Sequence, residues 1–299
     1  MGVRVQGGRR IRVALLGQYP LDAQRIRGGV EAAIVYVQRE LVKRDDLDLH
    51  ILTCVEGLPE VQVETRGPMT VTYLPRGRLG RVTWHLREVR RLVRVLDDLQ
   101  PDIVHAHGAG LYAGAALASR YPAVVTAHGI FAAEARLERR WKARLRGFLD
   151  AVYERHVVRR CQHFIAISPY VKQAFGRDLG DSYLVENPCD ERFFQLTREP
   201  VPGRLLLPGA VIPRKGVLPL LRALQIVRDG GERQAHLRVA GSLTARPQYA
   251  AACLASVREQ RLDGSVTFLG QLTQEETLDE YAHCDAGGIQ TDHKKAHET

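Results

Sequence analysis

Pro208-Gly209-Ala210-Val211-Ile212-Pro213-Arg214-Lys215-Gly216 follows the apolar run Leu205-Leu206-Leu207 and precedes a helix-patterned stretch, Leu218 to Val227. A strand, a tight Gly/Pro loop, then Lys-Gly at a helix start is one turn of an α/β fold and a place to hold an anion. The first backbone N–H groups of a helix have no intrahelical partner, and its dipole adds roughly half a positive charge there. Lys215 adds a full one. A second glycine loop far upstream, Gly28-Gly29-Val30-Glu31, also opens a helix-patterned stretch. Glycine there permits positive φ and close backbone approach to a ligand.

Outward from these loops, apolar β-like runs alternate with amphipathic helical stretches, as in a parallel sheet wrapped by helices. Strands are expected at Ile11–Leu16, Leu47–Cys54, Thr70–Leu74, Ile103–Ala106, Ala123–Ala127 and His163–Ile167. Helices are expected at Val30–Arg44, Thr83–Leu99, Leu111–Ser119 and Ala132–Arg160. The stretch Arg198-Glu199-Pro200-Val201-Pro202-Gly203 reads as a linker, giving domains over 1–198 and 199–299. Beyond it the pattern restarts with strands Arg204–Leu207, His236–Ala240, Val266–Leu269 and Asp285–Gln290. Helices at Val217–Arg228, Gln248–Gln260 and Gln274–His283 separate them. The sequence stops at Glu298-Thr299 without a terminal helix, so the second domain reads as incomplete.

Composition narrows the class. The 299 residues are 45% hydrophobic and 26% charged, ordinary for a globular protein. No apolar run approaches the roughly 20 residues that span a bilayer. The basic segment Met1–Arg10 leads straight into a strand, which is too short for a signal-peptide core, so a cytoplasmic protein is expected. The five cysteines are scattered and form no CxxC, which indicates neither a disulfide framework nor a zinc site. A net charge of +9 implies an anionic partner. No zinc-finger pattern, RNP-type motif or long lysine tract points to nucleic acid.

Short motifs follow one another along nearly the whole chain, and their order and spacing together are specific: Gly28-Gly29-Val30-Glu31; Pro101-Asp102-Ile103-Val104-His105-Ala106-His107-Gly108; Thr126-Ala127-His128-Gly129; Ala166-Ile167-Ser168 with Lys172. Glu186-Asn187-Pro188-Cys189-Asp190 with Phe193-Phe194, Lys215-Gly216, Val239-Ala240-Gly241 and Val266-Thr267-Phe268-Leu269-Gly270 complete the series. Together they resemble the retaining glycosyltransferases of family 4. That resemblance implies an α/β GT-B fold: two Rossmann-like, doubly wound parallel-sheet domains facing a cleft, here with the second one truncated. It implies a hexosyltransferase-type enzyme that moves a sugar from a nucleotide-sugar donor to a glycan, glycolipid or small-molecule acceptor, as in cell-envelope or polysaccharide biosynthesis. No metal or other cofactor is implied.

Residue by residue, the resemblance makes Lys215 the cation that neutralises the leaving diphosphate, with Arg214 and Gly216 beside it. Where the family usually carries an arginine, this chain has Ala210. Gly28 and Gly29 would meet the diphosphate from the other side of the cleft. His128, just beyond a strand end, would hydrogen-bond the sugar or orient the nucleophile. His105 and His107 share a strand face; with no third ligand apparent, packing and hydrogen bonding are favoured over a metal site. Glu298, in His297-Glu298-Thr299, resembles the first of the family's two donor-site glutamates and would contact donor hydroxyls; the second would lie past Thr299.

The stretch 131–160 is a further candidate. Leu137, Trp141, Leu145, Phe148, Leu149 and Val152 recur at helical spacing among Arg136, Arg139, Arg140, Lys142, Arg144 and Arg146. Such a helix either packs its apolar stripe into a core or lies on anionic lipid at the inner membrane face. Two other readings of the chain stand beside glycosyl transfer. One is a sugar-nucleotide epimerase on the same fold, and the other an inactive fragment that binds only acceptor or membrane.

Overall fold

The computed structural model describes residues 9–22, 25–77, 80, 83–136, 141–176 and 179–287. They form two compact α/β units. One comprises the chain up to Tyr19 with Val30–Pro188; the other comprises Pro20–Gly29 with the chain from Cys189 on.

In the first unit the chain runs β1 (Ile11–Leu16), α1 (Gly29–Leu41), β2 (Leu47–Glu56), β3 (Gln62–Arg66), β4 (Met69–Arg76), α2 (Leu86–Leu99), β5 (Ile103–His107) and α3 (Leu111–Ala118). It continues with β6 (Ala123–Ala127), α4 (Phe131–Arg136), α5 (Trp141–Arg160), β7 (His163–Ala166), α6 (Pro169–Phe175) and β8 (Asp181–Leu184). The strands make one eight-stranded sheet, ordered β3-β4-β2-β1-β5-β6-β7-β8. β1 pairs in parallel with both β2 and β5. Being central, β1, β5 and β6 are covered on both faces, and Leu15, Leu16, Val104, Ala106, Val125 and Ala127 are wholly buried. α2 shows how a helix joins this sheet: Leu92 and Leu96 are wholly buried while Arg87, Arg90, Arg91 and Arg94 stay exposed. Burying each leucine stabilises the unit by about 2 kcal/mol.

Three elements lie outside the sequence expectations. β3 is an edge strand whose residues, Gln62-Val63-Glu64-Thr65-Arg66, are mostly polar; it pairs antiparallel with β4, so the sheet is not wholly parallel. β8 is a short, exposed edge, and α6 opens at the Ser168 N-cap, whose hydroxyl accepts from Val171 N. The expected continuous helix Ala132–Arg160 is instead two helices, α4 and α5, packed on each other. Gly147 of α5 faces Ala135 of α4 so closely that a Cβ on Gly147 would clash with it. The buried Glu154 carboxylate accepts from Phe131 N at 3.0 Å and so ties α5 to the start of α4. A carboxylate there also suits the positive end of a helix.

The second unit runs β9 (Arg204–Pro208), α7 (Val217–Asp229), β10 (His236–Ala240), α8 (Pro247–Glu259), β11 (Val266–Gly270), α9 (Gln274–His283) and β12 (Ala286–Gly287). Its parallel sheet is ordered β11-β10-β9-β12. Leu207, Val239, Val217, Leu221, Cys253 and Leu262 form its main core. α9 is held by a full capping box between Thr273 and Glu276. From it, Glu280 receives Arg204 at 3.1 Å and both forks of Arg238 at 2.7 and 2.5 Å, with its own side chain buried. The carboxylate thus ties α9 to two neighbouring strands.

Candidate functional site

In an open α/β sheet, ligands bind beyond the carboxyl ends of the strands, where the strand order reverses direction. In the first unit that reversal lies between β1 and β5, and three histidines gather beside it. His105 and His107, on one face of β5, have ring centroids 4.2 Å apart. His128, which follows β6, lies nearly parallel to His107, with Nε2 2.9 Å from His107 Nδ1. The other nitrogen of His128, Nδ1, is 3.0 Å from Asn187 Oδ1, and His105 Nε2 is 2.7 Å from Thr126 Oγ1. Gly17, just past β1, makes the room: a Cβ there would stand 3.1 Å from that of His107 and would clash with Ile34.

Burial dominates the electrostatics. Desolvation, reinforced by the neighbouring rings, lowers His105 to about 4 and His107 to about 2. His128 is also lowered by burial, against a smaller upward pull from its bond to Asn187. The cluster is therefore neutral at pH 7. Among the described residues no group of three or more His, Cys, Asp or Glu is placed to hold a metal ion. Asn187 and Thr126 were given no role from the sequence, although each stands inside a motif quoted from it, Glu186–Asp190 and Thr126–Gly129.

In the second unit the strand order reverses at β9, between β10 and β12, and the loop that opened the sequence reading leaves its carboxyl end. Gly209 N donates to Ala240 O at 2.7 Å and Val211 N to Ser242 O at 3.0 Å. Gly241 permits this approach, since a Cβ there would overlap the Gly209 carbonyl. Pro213–Lys215 make one 3-10 turn, and Gly216, at φ 65°, caps α7 in the left-handed region that favours glycine. Lys215 folds back over Gly209, its Cε 3.0 Å and Nζ 3.4 Å from where a Cβ would be. Its ammonium is half-buried and pushed below the usual lysine range by desolvation and then by Arg214. Among the described residues it has no ion-pair or hydrogen-bond partner. α7 has no side-chain cap, although Leu218 N is taken by Tyr249 Oη at 3.2 Å.

The remaining expected residues are placed less distinctively. Gly28 and Gly29 precede and open α1, as expected, but neither has positive φ, and among the described residues a Cβ on either meets nothing within 4 Å. The protein's own packing therefore does not demand glycine there. Glu298 lies outside the described residues. On α5 the apolar stripe faces solvent rather than a core: Trp141 is 70% exposed, Leu145 52%, Phe148 62% and Val152 41%. Leu137, Arg139 and Arg140 lie outside the described residues.

These two sites stand on sheets of GT-B type, a fold that many sugar-transferring enzymes share. The family description "Glycosyltransferase Family 4" matches residues 27–192, and the chain belongs to that family. Sucrose-phosphate synthase from Thermosynechococcus elongatus superposes with a TM-score of 0.72 at 18% identity, over 94% of this chain and 76% of that one. WaaG, a glycosyltransferase involved in lipopolysaccharide biosynthesis, superposes at 0.67 with 14% identity, over 94% and 75%. The E. coli trehalose-6-phosphate structure bound with UDP-2-fluoro glucose superposes at 0.66 with 10% identity, over 94% and 78%. At these identities the likeness is one of fold. No curated protein matches in sequence. The chain is thus a glycosyltransferase with a GT-B fold.

Proposed function

We propose that the protein transfers a hexosyl group, with retention, from a nucleoside-diphosphate sugar to a glycan or glycolipid acceptor. One observation carries this reading: Lys215 is a half-buried cation at a strand-to-helix junction with no counter-anion among the described residues. Holding an ammonium at the positive end of a helix costs energy unless an anion joins them. A diphosphate does so, and it gains most as the C–O bond breaks and negative charge develops on the leaving oxygen. Arg214 and Gly216 extend this loop, the first as a second cation and the second as the turn that starts α7. Gly28 and Gly29 leave open space beside their backbone into which a phosphate can come. Glu298 is assigned to the donor hydroxyls by family resemblance, and His128 to a hydroxyl of the reacting sugars. Retention follows the family's front-face course, in which the leaving phosphate helps to take the acceptor proton. No cofactor is needed for these steps.

Titration calorimetry with UDP, GDP and ADP tests the reading. At least one should bind, and Lys215→Ala should weaken that binding by tenfold or more with the circular dichroism unchanged. Failure of all three to bind, or an unaltered affinity in the variant, refutes it.

The exposed stripe on α5 supports a cytoplasmic enzyme working against the inner membrane face on a lipid-linked or envelope acceptor. Trp141, Leu145, Phe148 and Val152 share one helical face, with Arg144 and Arg146 exposed beside it. Trp84, half-exposed, extends the patch, its ring 5.4 Å from Tyr153 and 5.3 Å from His156. Arginines flanking apolar rings suit anionic lipid. Among the described residues no helix is long and apolar enough to cross a membrane. The chain should sediment with phosphatidylglycerol vesicles and not with phosphatidylcholine, and Phe148→Glu should release it. Equal sedimentation with both refutes the electrostatic part, and none with either ends the proposal.

A further inference from the structure

A neutral imidazole carries a single N–H, so a chain of neutral rings has a direction. Here the chain reads His107 Nδ1, His128 Nε2, then His128 Nδ1 and Asn187 Oδ1. At its inner end His107 Nε2 is buried and, among the described residues, has no hydrogen-bond partner; the residue is 3% exposed. Two proton orders are available. In one, His107 Nδ1–H donates to His128 Nε2, His128 Nδ1–H donates to the Asn187 oxygen, and a bare lone pair remains on His107 Nε2. In the other every proton is reversed: Asn187 must turn its amide nitrogen inward, and a buried N–H is left with no acceptor. Buried N–H groups without partners are the rarer defect in folded proteins.

We infer that His107 is a positioning residue that holds His128 in its Nδ1–H tautomer, so that His128 meets a ligand as a hydrogen-bond donor and not as a base. The two ends of His128 are held differently. Nε2 is engaged by a buried ring on a central strand, whereas Nδ1 is engaged by Asn187, an exposed side chain in the segment where the first unit ends. A ligand oxygen can replace Asn187 but cannot reach past His107. Burial keeps both rings uncharged near neutrality, as the order requires. The assignment of a sugar hydroxyl to that N–H rests on the glycosyl-transfer reading. The tautomer itself does not.

Long-range 1H–15N correlation of the histidine rings in the full chain at pH 7 decides the matter without any substrate. His128 should show a protonated Nδ1 and a bare Nε2. His107→Leu should move it toward the Nε2–H form that free imidazole side chains prefer in water. His107→Asn, whose amide can donate from about the position of Nδ1, should restore the Nδ1–H form, and Asn187→Ala should leave it in place. Protonation of His128 on Nε2 in the unaltered protein overturns the inference, even where His107→Leu fails to fold. So does an unchanged tautomer in a folded His107→Leu protein, an Nε2–H form in His107→Asn, or loss of the Nδ1–H form in Asn187→Ala.

Discussion

Replacing Glu280 by glutamine keeps the shape of the side chain and removes the charge that joins Arg204 and Arg238. Its carboxylate accepts three charge-assisted hydrogen bonds, at 3.1, 2.7 and 2.5 Å, with a side chain only 8% exposed against 21% and 24% for its two partners. The amide can accept from one guanidinium but presents an NH2 group to the other, so at least one arginine is left facing a donor. Breaking a buried pair from one side costs about 3–5 kcal/mol. The partial exposure of the arginines reduces this, and about 2–4 kcal/mol is expected. Tryptophan fluorescence cannot report it, because Trp84 and Trp141 both lie in the first unit. Hydrogen exchange of the peptides covering β9 and β10 can. At 1.4 kcal/mol per decade, their protection should fall between about thirtyfold and several hundredfold. The wild-type protein should show the same loss on acidification. Glu280 titrates below the usual glutamate range in the folded chain, chiefly through its bond to Arg238. Its contribution is therefore present in full above the unfolded value of about 4.3 and is lost as pH falls through the lower, folded one. Protection in Glu280→Gln within threefold of wild type would show that water already satisfies these arginines, and the reasoning would fail.

Other expectations follow from packing and exposure. A Cβ at Gly114 would overlap the Tyr153 hydroxyl, so Gly114→Ala should cost about 1–3 kcal/mol, and adding Tyr153→Phe should recover part of it in denaturant unfolding. Gly28→Ala, whose Cβ meets open space, should leave the unfolding midpoint unchanged, and a drop would reveal a packing role that the structure lacks. Of the five thiols only Cys189 is exposed, and burial pushes Cys54 up to about 12. An aromatic disulfide reagent should thus modify one thiol quickly in the native chain and all five after unfolding; two fast thiols in the native chain would contradict the burial of the others.

Sequence pattern alone located the switch-point loop after β9, because an apolar strand ending in a Gly/Pro turn before an amphipathic helix is a local signal. Lys215 and the shared face of His105 and His107 were legible for the same reason. Their partners were not. Asn187 meets His128 across a large sequence separation, and nothing in the order of residues says which loop returns to that ring. β3 escaped because an edge strand with polar Gln62, Glu64 and Arg66 carries no apolar alternation. The division between α4 and α5 was hidden by the unbroken helical pattern from Ala132 onward; only the small pair Ala135 and Gly147 records that two helices pack there. The stripe on α5 shows a different limit, since periodicity reports a helix with an apolar face but not whether that face is covered.

The segment Pro20–Gly29 clusters with the second unit although the chain on either side of it belongs to the first. The backbone therefore passes between the units at Tyr19, again at Gly29 and finally at Pro188. A chimera made by joining another second unit after residue 188 would keep a loop that belongs with the unit it had lost. A graft that exchanges the second unit whole must carry residues 20–29 along with everything from Cys189 onward.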